Sequence, residues 1–215
     1  MTKMNAVPFH EKEYWRKRFE KEKHFEWLVT WDDIKEEFEP YLKKDEDVLH
    51  LGCGNSELAF DLADSGYKTV VNVDYAENVI EYMKSVTHEK QQQNSNYSNI
   101  SWISGDCLSN LKSYLPKSQY SIIIDKSLVD TIACGDDDHQ SRVKQLSREM
   151  LSVAKPDAYW LSISFSGERE FYVDNQEEFF WKTEHRIPIQ VAQPNDKPGA
   201  PAIYYYLYIN HKMSA

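Results

Sequence analysis

Residues 47–56 read Asp-Val-Leu-His-Leu-Gly-Cys-Gly-Asn-Ser. Asp47 to Leu51 is a short apolar run that stops at a glycine, which predicts a buried strand feeding a turn. Glu57 to Ser65 then carries Leu58, Phe60, Leu62 and Ala63, a buried helix closed by Gly66 as its C′ residue. The turn between Gly52 and Gly54 lets the backbone pass close to a ligand's ribose and carboxylate. A dinucleotide site of the G-x-G-x-x-G type asks for a third glycine at position 57. Position 57 is Glu, whose carboxylate would meet a pyrophosphate, so NAD and FAD are disfavoured. No GK[ST] follows, which excludes a phosphate-binding P-loop.

Outward from this stretch, strands and helices alternate. Apolar runs predict strands at Thr69–Val73, Ile100–Ile103, Tyr120–Ile124 and Ala158–Phe165. Helical stripes fall at Glu77–His88 and His139–Ala154. Two further strands, Phe179–Ile187 and Ala202–Asn210, have no helix between them and should form an antiparallel hairpin. The expected fold is α/β: a seven-stranded, mostly parallel sheet with an antiparallel last strand and helices on both faces. Glu89–Ser98 reads as a polar surface loop, and residues 189–201, with three prolines and a glycine, as a long mobile connection. Residues 1–45 read as an aromatic-rich helical cap on a sheet domain of residues 46–215. Its helices are expected at Glu11–Lys23 and Trp31–Glu39, the second with Thr30 as N-cap and Pro40 as its stop. Trp15, Trp27 and Trp31 lie here, as packing for the sheet or as an aromatic lid over a ligand.

Of 215 residues, 41% are hydrophobic and 28% charged, which is an ordinary soluble globular composition. No apolar run approaches the roughly 20 residues needed to cross a bilayer. Met1–Lys12 lacks the apolar stretch of a signal peptide. Cys53, Cys107 and Cys134 are too few and too far apart for a disulfide scaffold or a CxxC site, and they fit a reducing, cytoplasmic setting. A net charge of −10 argues against general nucleic-acid binding. It fits plain solubility, or a basic partner.

Five of the seven glycines, Gly52, Gly54, Gly105, Gly135 and Gly167, follow predicted strands, at the rim where open α/β sheets bind ligands. Asp74 stands 22 residues after Gly52, at the end of the second strand, where a carboxylate accepts both ribose hydroxyls. Its bland reading is a cap for the next helix. Asp106 follows the third strand and can accept from an adenine amino group, with the Cys107 amide donating to a ring nitrogen. Together these describe a nucleoside site without phosphate recognition. S-adenosylmethionine, with its ribose, adenine and zwitterionic tail, matches that description.

Leu49–Ser56 (LHLGCGNS), VNVDY at 71–75, GDC at 105–107 and IIIDKSLVD at 122–130 resemble the seven-strand, Rossmann-like S-adenosylmethionine-dependent methyltransferases. More narrowly, the chain is similar to the eukaryotic branch that holds lysine methyltransferases of translation elongation factor 1-alpha. The branch features are Tyr14-Trp15-Arg16-Lys17-Arg18-Phe19, Phe25-Glu26-Trp27, Asp125-Lys126-Ser127-Leu128-Val129-Asp130 and the terminal YLYINHK. The resemblance implies cofactor contacts from Trp15, Phe19, Trp27, the Gly52–Gly54 turn, Asp74, Tyr75, Asp106, Cys107 and Lys126. It also implies that residues 125–130 are required for activity. Phe19 stands where the branch has tyrosine, and Ser127, Leu128 and Val129 replace its glycine, threonine and leucine.

Methyl transfer from a sulfonium depends mostly on holding donor and acceptor in line. A lysine acceptor, with an ordinary pKa of about 10.4, must also lose a proton. Asp125 and Asp130 are the candidates for orienting that amine or relaying its proton, with Lys126 between them. Asp136-Asp137-Asp138-His139 is too sparse in histidine, and its carboxylates too consecutive, for a metal site, so no metal is expected. No Pro-Cys pair for attack on cytosine and no [DN]PP[YF] motif occurs. The expected function is therefore protein-lysine methylation by a monomer acting on a lysine-presenting protein. A small-molecule methyltransferase and a catalytically silent, cofactor-binding adaptor are the alternatives.

Overall fold

The computed structural model describes residues 7–134, 139–169, 179–191 and 201–214. Its elements are α1 (Lys12–Lys21), α2 (Trp31–Phe38), β1 (Asp47–Leu51), α3 (Leu58–Asp64), β2 (Thr69–Asp74), α4 (Glu77–Gln91) and β3 (Ile100–Ser104). There follow β4 (Tyr120–Lys126), α5 (Leu128–Ala133), α6 (His139–Val153), β5 (Ala154–Ser164), β6 (Phe179–Val191) and β7 (Ile203–Ser214). The strand order is β3-β2-β1-β4-β5-β7-β6. Strands β1 to β5 pair in parallel. β7 is antiparallel to both β5 and β6, so β7 alone is reversed and β6 runs with the rest.

The central strands β1, β2 and β4 bury both faces, as a sheet covered on two sides must. Val48, Val70, Ile122 and Ile124 face a core built with Phe19, Trp31, Ile34, Phe38, Leu58, Phe60, Val79, Ile80 and Met83. Leu49, Leu51, Val71 and Ile123 face the other side, against Val129, Val143, Leu146 and Met150. Helices α1 to α4 therefore cover one face, and α5 and α6 the other. The N-terminal segment contributes to the same core as the sheet. α2 starts where the Asp33 carboxylate accepts from the Thr30 N–H and hydroxyl, both at 2.7 Å, closing a capping box. The chain order reverses between β1 and β4, the crevice where doubly wound sheets bind ligands. Leu51 pairs with Asp125, so Gly52 and Lys126 leave the sheet side by side.

Several boundaries differ from the sequence reading, β7 among them, which runs on to Ser214. β4 continues through Lys126, and the short α5 then carries Asp130, where only a loop was expected. α4 runs on to Gln91, and a 3-10 turn at Ser95–Asn99 follows, because Asp64 accepts from both Asn94 Nδ2 and the Tyr97 hydroxyl at 2.9 Å. β5 begins at Ala154, with an irregular register against Tyr120–Ile122. β6 extends to Val191, so Ile189–Val191 pair with β7 instead of opening a mobile connection. β6 is an edge strand, which is why Pro188 is tolerated within it. The remainder of that connection, 192–200, lies outside the described residues, as do Gly135 and the Asp136–Asp138 run. Among the described residues no helix is long and apolar enough to cross a membrane.

Candidate active site

Two adjoining cavities open at the β1–β4 crevice. One, of about 590 Å³, has aromatic walls from Trp15, Phe19, Phe25 and Trp27 and a floor that includes His50, Gly52, Gly54, Asp74 and Lys126. The other, of about 460 Å³, is bounded by Lys12, Asp106, Cys107, Leu108 and Arg142. Gly52, Asp74, Tyr75, Leu128 and Thr131 border both. Trp15, Phe19, Trp27, Gly52, Gly54, Asp74, Tyr75, Asp106, Cys107 and Lys126 are thus brought to one crevice. Asp125 and Asp130 line neither cavity.

The glycine turn is left-handed at both ends, with φ of +61° at Gly52 and +50° at Gly54. A Cβ on Gly52 would come within 2.9 Å of Leu128 Cδ1, and one on Gly54 within 3.2 Å of Phe19 Cζ. The turn is fastened to β2 by Cys53 N–H donating to Val73 O at 3.1 Å. Asp74 completes the fastening. Its buried carboxylate accepts from Gly54 N–H at 3.0 Å and from Ala76 N–H at 2.9 Å. Burial pushes its pKa up to about 6, against those two N–H donors. Asp74 therefore orders the start of α4, as the bland reading has it, and also faces both cavities.

On the second cavity, Asp106 pairs with Lys12 at 2.5 Å and accepts from Leu108 N–H at 3.0 Å. Tyr114 donates its hydroxyl to the Asp106 carbonyl, and its ring lies so close over Gly105 that a Cβ would sit 2.4 Å away. Burial raises the Cys107 thiol. Cys107 is an uncharged wall there, not a nucleophile.

Lys126 is 7% exposed and forms an ion pair with Glu26. Its Nζ also donates to Val29 O at 3.3 Å. Burial pulls the ammonium down to about 7, while the touching carboxylate favours its charged form. Glu26 further accepts from the Ser56 hydroxyl at 2.8 Å and from Glu57 N–H at 3.0 Å. Asn55 Nδ2 donates to Glu22 O at 3.0 Å. The Asn-Ser pair after the glycine turn is thus the seam to the N-terminal segment. Behind the aromatic wall, the Arg18 guanidinium lies 4.7 Å from the Trp27 ring centre and pairs with Glu22 at 2.5 Å.

The three residues expected to act on the methyl acceptor are separated by strand geometry. Successive side chains of β4 point to opposite faces, so Asp125 and Lys126 cannot share a pocket. Asp125 is fully buried, accepting from Trp160 Nε1 at 2.7 Å and Val129 N–H at 3.3 Å. Asp130 on α5 pairs with Arg169 at 2.5 Å and accepts from Ser164 Oγ at 2.5 Å and Phe165 N–H at 3.0 Å. Sequence reasoning gave no role to Glu26 or His50. Glu26 was visible only as an acid between two aromatics, and His50 as an isolated histidine.

A Rossmann-like sheet with a glycine turn, an acid ending β2 and a crevice at the strand-order reversal is an architecture suited to binding a nucleoside. The chain belongs to the methyltransferase domain family, whose family model matches residues 42–202. It is 31% identical over 209 residues to Methyltransferase srdJ of Neurospora crassa, covering 94% of this chain and 83% of that protein. It is 30% identical over 159 residues to the human eEF1A lysine and N-terminal methyltransferase. That match takes in 71% of this chain, which spans only 21% of the human protein. Among solved structures, the N-methyltransferase NodS from Bradyrhizobium japonicum, in complex with S-adenosyl-l-homocysteine, has a TM-score of 0.60 at 11% identity. The match covers 96% of this chain and 98% of that one, and is a likeness of fold.

Proposed function

We propose that this chain transfers a methyl group from S-adenosyl-L-methionine to the side-chain amine of a lysine on a protein, elongation factor 1-alpha being the first substrate to test. The carrying observation is the pair of buried Lys126 with half-buried Glu26 in an aromatic-walled cavity that meets a second cavity across Gly52, Asp74 and Tyr75. The eEF1A relatives support the choice of acceptor. The site suits the methyl donor. Asp74 offers a carboxylate for ribose, Asp106 and Cys107 line a pocket for a base, and Gly52 has no side chain to obstruct the tail. Glu57, at the start of α3, leaves no place for a pyrophosphate.

When bound, the cofactor supplies a sulfonium-activated methyl group. The protein's part is to position the acceptor, exclude water and manage one proton. The rings of Trp15, Phe19 and Trp27 wall the cavity, and a dry site strengthens its charge interactions. An incoming lysine ammonium is drawn toward the Glu26 carboxylate, burial there lowers its pKa, and Glu26 accepts its proton to leave the neutral amine as nucleophile. Lys126 Nζ holds Glu26 in place and Val29 O holds Lys126. Asp125 and Asp130 act at a distance, by fixing β4 and α5.

The test is incubation of the purified chain with methyl-labelled S-adenosylmethionine and a cell extract. Label in a protein band, with methyl-lysine recovered on hydrolysis, is the expected result. Label in small products only would overturn the acceptor assignment.

A further inference from the structure

His50 is the one histidine of β1, and it lies at the bottom of the aromatic cavity at 1% exposure. Its tautomer is fixed by its neighbour on β2. Asn72 Nδ2 donates to Ser101 O at 3.2 Å, and a carbonyl can only accept, so Asn72 Oδ1 is the atom that faces the imidazole. His50 Nδ1, 3.2 Å from that oxygen, must carry the hydrogen. Burial lowers the ring to about 4, so it is neutral near pH 7. Nε2 is then a bare lone pair, and it is buried without a hydrogen-bond partner among the described residues. An unmet buried acceptor is costly and marks a place where a donor is missing. The same cavity holds an unmet donor, Trp27 Nε1.

We propose that His50 Nε2 is an ammonium receptor, accepting a hydrogen bond from an aliphatic ammonium seated in this cavity, with Asn72 as the residue that sets its tautomer. Two molecules in the reaction carry such a group: the amino-acid tail of the cofactor and the lysine of the acceptor. Nε2 has no hydrogen-bond partner among the described residues, and Lys126, a cation lining the same cavity, is engaged by Glu26 and Val29 O. An amino-acid tail would satisfy both orphan atoms at once, its ammonium at His50 and its carboxylate at Trp27. The inference rests on the methyltransferase reading but is tested separately from it.

The probes are S-adenosylhomocysteine, which has the tail, and 5′-methylthioadenosine, which shares the nucleoside and thioether but lacks it. Calorimetry is run on the wild type, His50→Leu, His50→Gln and Asn72→Leu. If the cofactor's ammonium is received, His50→Leu binds S-adenosylhomocysteine about tenfold or more weakly, in line with a hydrogen bond to a charged group, and methylthioadenosine unchanged. His50→Gln, which keeps an acceptor, recovers part of the loss, and Asn72→Leu shows an intermediate one. If the acceptor's ammonium is received, both nucleosides bind normally and KM for the protein substrate rises about tenfold by the same argument. Nitrogen NMR on the wild type covers the case in which His50→Leu fails to fold. The Nε2 resonance should then move with S-adenosylhomocysteine or with substrate, and stay still with methylthioadenosine. Unchanged affinities and KM, or an unmoved Nε2, would overturn the proposal. A wild type that binds neither nucleoside would instead sink the methyltransferase reading.

Discussion

Asp125 and Lys126 are neighbours in β4 with opposite surroundings. Lys126 enters the crevice, whereas Asp125 lies in the other core among Trp160, Ser162 and α5. Burial raises the Asp125 carboxyl to about 6, in spite of its donors. Its folded-state pKa is above the unfolded one, so the folded state binds the proton more tightly. Its contribution to stability is therefore present at low pH and lost as pH rises from about 4 to 6. Asp125→Asn removes that dependence. Denaturant unfolding of both proteins should show the variant gaining on the wild type by on the order of 2 kcal/mol over this interval. Parallel pH profiles would refute the assignment. At Asp74 the same upward shift has a different consequence, because the group faces both cavities. Asp74→Ala should weaken S-adenosylhomocysteine binding by about tenfold or more, the worth of a hydrogen bond to a charged group. Normal calorimetric affinity would reduce Asp74 to its role at the start of α4.

Helix α5 shows why some of the site was hidden in the sequence. Its six residues are too few for a helical stripe, so DKSLVD read as one loop with three chemical residues. In the folded chain Ser127 turns at φ +66°, and Asp130 then reaches back to Arg169 and the end of β5. Leu128 and Thr131 on this helix border both cavities, so anchoring α5 shapes them. Asp130→Ala removes the buried carboxylate that pairs with Arg169 and should cost about 3 kcal/mol in urea unfolding, the scale of a broken buried pair. Cofactor affinity should fall only in proportion to the loosening of α5. Full stability with abolished turnover would instead mean that Asp130 acts in the chemistry. The strands, by contrast, were legible from apolar runs, and the glycine turn from residue type alone. Glu26 was not, because its partners Ser56, Glu57 and Lys126 lie 30, 31 and 100 positions on and only the fold brings them together.

For the whole molecule, the N-terminal segment is both cap and cavity wall. Phe19, Val29, Trp31, Ile34 and Phe38 belong to the core of the sheet, while Trp15, Phe25 and Trp27 line the aromatic cavity. Phe19 does both, packing in the core and walling the cavity; that these rings close over a ligand is part of the proposed function. Glu26→Gln separates the two roles. It keeps the size of the side chain but removes the charge facing Lys126, so the protein should stay folded while kcat falls by about a hundredfold or more, the range of general base assistance. Unchanged kcat at saturating acceptor would remove Glu26 from the proposed proton path. The central claim, methylation of a protein lysine at the Gly52 crevice, is tested most directly by mass spectrometry of purified elongation factor 1-alpha incubated with S-adenosylmethionine and either the wild type or Gly52→Arg. Methyl increments on a lysine are expected with the wild type and none with Gly52→Arg, whose side chain would fill the turn beside Leu128. An unmodified factor with the wild type, or equal modification by both proteins, would contradict it.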